Sequence, residues 1–80
     1  MSESPIYLDL RGLRCPLPVL RLEAEARRLA PGSVLRVTCD DPIARVDIPH
    51  AMGLAGHACE EITPAEAIEA QCVFKVTLAS

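Results

Sequence analysis

Aromatic residues are almost missing from this chain. Of its 80 residues only Tyr7 and Phe74 are aromatic, and there is no tryptophan. The core must therefore be assembled from leucine, valine, isoleucine and alanine. Sequence-tolerant binding of single-stranded nucleic acid relies on stacking aromatics along a basic groove. The chain has too few rings for that, and its formal net charge is -3, which argues against direct nucleic-acid binding. No apolar run approaches the length of a transmembrane helix. The stretch Met1 to Pro5 is short and polar, without the basic region and hydrophobic segment of a signal peptide, so a cytoplasmic location is expected. No C-x-x-C pair occurs, and His50 and His57 are not spaced with the cysteines as in a zinc finger, so no structural metal site is expected. Internal repeats, low-complexity tracts and linkers are absent too, which leaves one domain over residues 1–80, with its core over about residues 6–78.

Half of the residues are hydrophobic, enough for a compact core rather than disorder. A chain of this length buries only about 60–65% of its unfolded surface. Ile6, Leu8 and Leu10 alternate with Tyr7, Asp9 and Arg11, the period-2 pattern of a half-buried strand. Val19 to Ala30 reads as a helix. From Pro18, Val19, Leu22, Ala26 and Leu29 recur at helical spacing, with Arg21, Glu25 and Arg28 off that stripe. Pro31-Gly32 stops it. Val34 to Cys39 is a second strand with Leu35, Val37 and Cys39 on one face. Strand, helix and strand in so short a span make a βαβ unit with parallel strands. A second helix follows Asp40-Asp41-Pro42 and runs to Leu54 or Ala55, with Ile48, Met52 and Ala55 on its apolar face and Gly56 as its cap. His57 to Ile62 is a weak third strand, and Thr63 to Glu66 a loop. Cys72 to Leu78 is the strongest strand, with Cys72, Phe74, Val76 and Leu78 on one side. The order βαβαββ predicts an α+β fold, a two-layer sandwich of one sheet with both helices on one face.

The stretch around which this order turns is Gly12-Leu13-Arg14-Cys15-Pro16-Leu17-Pro18. It places Cys15 in a tight strand-to-helix turn. Pro16 and Pro18 remove two backbone donors where a first helical turn has no use for them, and Pro18 pushes Leu17 toward an extended conformation. The positive end of the helix dipole then lies close to the sulfur, and Arg11 and Arg14 flank it in sequence. At such positions a cysteine pKa falls from about 8.5 to roughly 3.5–7.5, so a reactive thiolate is expected rather than a buried structural cysteine.

Asp41 is placed to cap the second helix, with Pro42 at its first position. The Asp40-Asp41 pair also has the composition of an acid–base or metal site, but no third ligand follows at a recognised spacing. A docking role stays open. Pro49 interrupts the helix. Either the helix kinks there, or Asp47 caps a fresh start two residues earlier. His50 and His57 have no neighbours in sequence that mark a general base.

Gly12-x-x-Cys15-Pro16-x-Pro18, followed by Asp40-Asp41-Pro42 and Asp47-Ile48-Pro49 in the same order and spacing, resembles the TusA/SirA-like sulfur carrier family over residues 6–78. The resemblance implies strand order 1-2-4-3 in a mixed four-stranded sheet. It implies that Cys15 carries a persulfide, taken from a cysteine desulfurase or a rhodanese-like protein and passed to an acceptor protein. Family acceptors act in tRNA 2-thiouridine formation, sulfur oxidation, or molybdenum-cofactor and selenium metabolism. Many carriers dedicated to tRNA thiolation have glutamate where this chain has Leu17, which leaves the relay open. The implied carrier is a monomer without cofactor, and its persulfide chemistry is that of a sulfurtransferase relay rather than a stand-alone turnover enzyme. The same residues also admit a thiol redox protein, given a resolving cysteine near Cys15 in space, or a non-catalytic regulatory module. Of the other cysteines, Cys39 and Cys72 have core parity, and the implied strand order makes them neighbours. Four cysteines in a small chain are compatible with two disulfides, but without a secretion signal reduced thiols are expected. Cys59 opens the weak strand.

Overall fold

The structure is a computed structural model, and it describes residues 5–68 and 71–79. The elements are β1 (Ile6–Asp9), α1 (Leu17–Arg28), β2 (Val34–Cys39), α2 (Pro42–Leu54), β3 (Ala58–Glu61) and β4 (Cys72–Thr77). The four strands form one sheet in the order β1-β2-β4-β3. β1 runs parallel to β2, while β4 runs antiparallel to both β2 and β3. Both helices cover the same face of this mixed sheet.

Period-2 alternation explains which strand residues enter the core. Leu35, Val37 and Cys39 of β2 face inward, as do Cys72, Phe74 and Val76 of β4, all almost without exposure. They meet Leu22 of α1 and Ala44, Ile48 and Met52 of α2 in one continuous cluster. Val19, Ala26 and Leu29 are partly buried against it, so the expected α1 stripe packs as a half-exposed border around Leu22. On α2 the inward row is Ala44, Ile48 and Met52, at helical spacing, whereas Ala55 is exposed.

Several boundaries shift from the sequence reading. β1 ends at Asp9, yet Leu10 still bonds β2 through its N–H to the Thr38 carbonyl (2.7 Å) and is fully buried. β3 loses His57 and Ile62 at its ends, β4 loses Leu78, and α1 stops at Arg28 rather than Ala30. The larger difference is at the start of α1. The helix begins at Leu17, not Val19, so Leu17 is helical rather than extended, and Pro18 stands at its second position with a fully buried side chain. Pro18 is thus part of the core as well as a helix-starting residue.

α2 passes through Pro49 without a fresh start. The Asp47 capping alternative is therefore incorrect: Asp47 lies inside the helix. The ring at Pro49 removes the donor that would reach the Arg45 carbonyl, a local loss the surrounding packing tolerates. The C-terminus of α2 closes as a Schellman motif. The His57 N–H reaches the Met52 carbonyl (2.9 Å) and the Gly56 N–H the Gly53 carbonyl (3.0 Å), with Gly56 at φ 86°, a left-handed conformation that favours glycine.

Candidate functional site

Because β1 and β2 are parallel, both end at the same sheet edge, and each is followed by a helix beginning at that edge. The loop after β1 carries Gly12 to Pro16. The junction after β2 carries Asp40 and Asp41. Sequence separates these segments by 26 to 28 residues, but the fold presses them together. Asp40 Oδ1 accepts from the Gly12 N–H (3.0 Å) and from the Arg14 guanidinium (2.9 Å). Asp41 is the N-cap of α2, its Oδ1 accepting from the Ile43 N–H (3.1 Å). Its second oxygen, Oδ2, accepts from the Cys15 N–H (2.8 Å). One carboxylate, only 4% exposed, therefore caps α2 and anchors the cysteine of the neighbouring loop.

Cys15 itself is exposed. Its Sγ–H donates to Asp47 Oδ2 at 3.4 Å, across 32 residues of sequence. The sulfur therefore faces a carboxylate. Its pKa is raised, first by this hydrogen bond, then by desolvation and by the charges of Asp47 and Asp41. That reverses the depressed pKa expected from the helix start. The arginines do not reverse it back. Arg14 is paired with Asp40 at 2.9 Å and Arg11 with Asp9 at 2.9 Å, so the positive charge near the loop is largely matched. The Asp40 carboxyl is held below the usual range by the Gly12 N–H and by Arg14. Asp9 is held at about 2 by hydrogen bonds from Arg11.

The start of α1 has no capping side chain and no acidic residue in its first turn; its N-cap position is Pro16. Beside it, Leu17 and Leu20 are each 52% exposed. With Leu13, Arg21 and Ala24 they line a shallow groove next to the cysteine. Pro42 and Pro49 both belong to α2, Pro42 opening it and Pro49 two residues past Asp47. His50 is exposed on α2, and His57 has its Nδ1 occupied by the Ala79 N–H (2.9 Å).

The other cysteines lie in or against the core. Cys39 and Cys72 face each other directly across β2 and β4. Both are fully buried, with free thiols whose Sγ atoms are 2.7 Å apart. Burial pushes both pKa values up. Cys59, on the edge strand, is partly buried and opposite Val76, and its thiol is also pushed up by burial.

The sequence profile of the family described as "Sulfurtransferase TusA" matches residues 6–77. The chain belongs to the TusA sulfurtransferase family. "Sulfur carrier protein TusA" of Pseudomonas paraeruginosa PA7 is 46% identical to it over 54 residues, 68% of either chain. The protein of that name from Pseudomonas entomophila L48 is 48% identical over 50 residues, 62% of either chain. The fold is also that of the crystallised SirA-like protein from Desulfitobacterium hafniense, with a TM-score of 0.78, 22% identity, and coverage of 94% of this chain and 99% of that one. In this TusA-family chain the structure forms two adjoining hydrogen-bonded groups, Gly12 and Arg14 on Asp40, and Cys15 on Asp41 and Asp47. Three of these links were invisible in the sequence: Asp40 as the clamp on Gly12 and Arg14, Asp41 as the acceptor of the Cys15 N–H, and Asp47 as the partner of the thiol. The available signal was the recurrence of aspartate in the stretch Asp40 to Asp47, read there as capping chemistry.

Proposed function

We propose that the protein is a sulfur carrier that holds sulfane sulfur as a persulfide on Cys15 and relays it to an acceptor protein. One observation carries this reading: Cys15 is the exposed cysteine of the four, fixed at the start of a helix, while Cys39 and Cys72 are sealed in the core. Thiol–persulfide exchange follows the in-line thiolate logic of disulfide exchange. It needs an attackable sulfur and room for a second protein, which the exposed loop supplies. The donor is a cysteine desulfurase or a rhodanese-like protein. The acceptor serves tRNA thiolation, sulfur oxidation or cofactor sulfuration, in the cytoplasm, with the carrier acting as a monomer without cofactor. Leu17 gives the surface beside the cysteine an apolar character and so bears on which acceptor docks.

Mass spectrometry tests the reading. After incubation with a persulfide donor and removal of excess reagent, the protein should gain the mass of one sulfur atom. The gain should map to the Cys15 peptide and disappear on mild reduction. An internal disulfide would point to thiol redox chemistry instead, and an unchanged mass to an interaction module.

A further inference from the structure

Cys15 combines two properties that usually part company. It is exposed, and yet its sulfur is bonded to a carboxylate rather than to a cation. The groups that face it come from three directions. On its own loop, Arg14 is taken up by Asp40, and Arg11 by Asp9. From the β2–α2 junction, Asp41 receives the Cys15 N–H. From α2 comes Asp47, with the exposed His50 one turn further along, and the first turn of α1 offers no acid. Asp40 has its arginine, and Asp41 spends both oxygens on backbone N–H groups. Among the described residues, Asp47 enters no ion pair, and its one side-chain partner is the Cys15 thiol.

We propose that Asp47 is a proton latch: its carboxylate keeps Cys15 in the thiol form while the carrier is empty, so that the exposed sulfur resists reagents other than its sulfur donor. The proposal rests on Cys15 being the carrier cysteine. The thiolate is the nucleophilic form, and a carboxylate within hydrogen-bond reach opposes it by charge and by bonding the neutral form. The raised pKa of the thiol has this origin. Sulfur loading is compatible with the latch, because the donor brings its own proton acceptor. In Cys15–SH + R–S–SH → Cys15–S–SH + R–SH, the bond between the two donor sulfurs breaks and a new S–S bond forms at Cys15 Sγ. There is no net oxidation, and the proton released at Asp47 ends on the departing donor sulfur. An alkylating agent with a halide leaving group has no such acceptor and meets the latch in full. Asp47 is thus a positioning residue that acts through Cys15.

The test is the rate of iodoacetamide alkylation of Cys15 against pH, resolved by peptide mapping. Wild type, Asp47→Asn and Asp47→Glu are compared, with folding checked by circular dichroism. Asp47→Asn should move the midpoint of the profile to lower pH and speed alkylation severalfold at neutral pH, and Asp47→Glu should stay near wild type. A midpoint that is unmoved or raised in folded Asp47→Asn overturns the latch. Should that variant not fold, the wild-type thiolate is titrated by ultraviolet absorbance against the Cys15 peptide alone. A midpoint at or below that of the peptide then overturns it. Failure of the carrier reading looks different: no persulfide forms on wild-type Cys15, whatever the alkylation profile shows.

Discussion

The two helix starts of this protein lie side by side and are built in opposite ways. α2 begins with Asp41, a buried aspartate whose side chain satisfies the Ile43 N–H, with Pro42 set into the first turn. α1 begins at Pro16 with no capping side chain, an exposed cysteine just before it, and apolar side chains half-open to solvent. A helix start left uncapped gives up roughly 1 kcal/mol. At α1 no side chain makes up that deficit, but the loop before it is fixed from outside, because the second oxygen of Asp41 and the side chain of Asp40 reach across to the Cys15 and Gly12 N–H groups. The closed start holds the open one in place. An exposed side chain can then stand on a loop with few bonds of its own while keeping a fixed position.

Substitutions at the two starts should separate these roles. The largest effect is expected for Cys15→Ser, which should abolish sulfur loading while leaving the unfolding free energy from urea titration within about 0.5 kcal/mol of wild type. A large stability loss there would make the open start structural. Asp41→Ala should come next, costing about 2–3 kcal/mol in chemical denaturation. It removes the α2 cap and also leaves the Cys15 N–H without its charged acceptor. Asp41→Asn, which keeps an acceptor oxygen, should lose clearly less. For Pro18→Ala the expected loss is about 2 kcal/mol, from two buried methylenes and a more flexible unfolded chain. Were it costlier than Asp41→Ala, the contrast between the starts would be reversed. Gly56→Ala lies away from both starts. No atom crowds its Cβ position, so only the left-handed backbone matters and about 1 kcal/mol is expected.

The smallest effect is a pH dependence. The Asp9 and Asp40 carboxyls are lowered in the folded protein. Each therefore contributes stability that is full above its unfolded pKa and is lost as pH falls through the folded value. For Asp9 that window runs from the ordinary 3.8 down to about 2. Asp40→Asn should flatten the acid limb of the stability curve slightly, by lowering stability a little above the limb and leaving it unchanged at the acid end. An unaltered acid limb would mean that the clamp on Gly12 and Arg14 is not held by charge.

What could be read from the chain follows from how far each interaction reaches. Alternation in Val34 to Cys39 and Cys72 to Leu78 reports local geometry, so the strands and their inward faces were legible to within a residue or two. The capping geometry of Asp41 spans two residues and was equally accessible. The thiol of Cys15 misled because its sequence neighbours are arginines while its spatial neighbours are aspartates from another helix start. A pKa answers to the spatial ones. Pro49 offered two alternatives that sequence cannot rank, since packing of Ile48 and Met52 decides whether the helix survives the lost bond. Pro18 looked like a helix-start residue alone because burial of a proline ring depends on what the sheet presents beneath it.

The parallel pairing of β1 and β2 has a practical consequence for handling the molecule. It gathers the cysteine and its clamps at one end, and leaves the α2–β3 turn at the far end of the same elements. A fluorophore, spin label or affinity tether inserted next to the exposed Gly56 would ride on the opposite pole from the sulfur. Such a fusion should report binding of a partner without standing in its way.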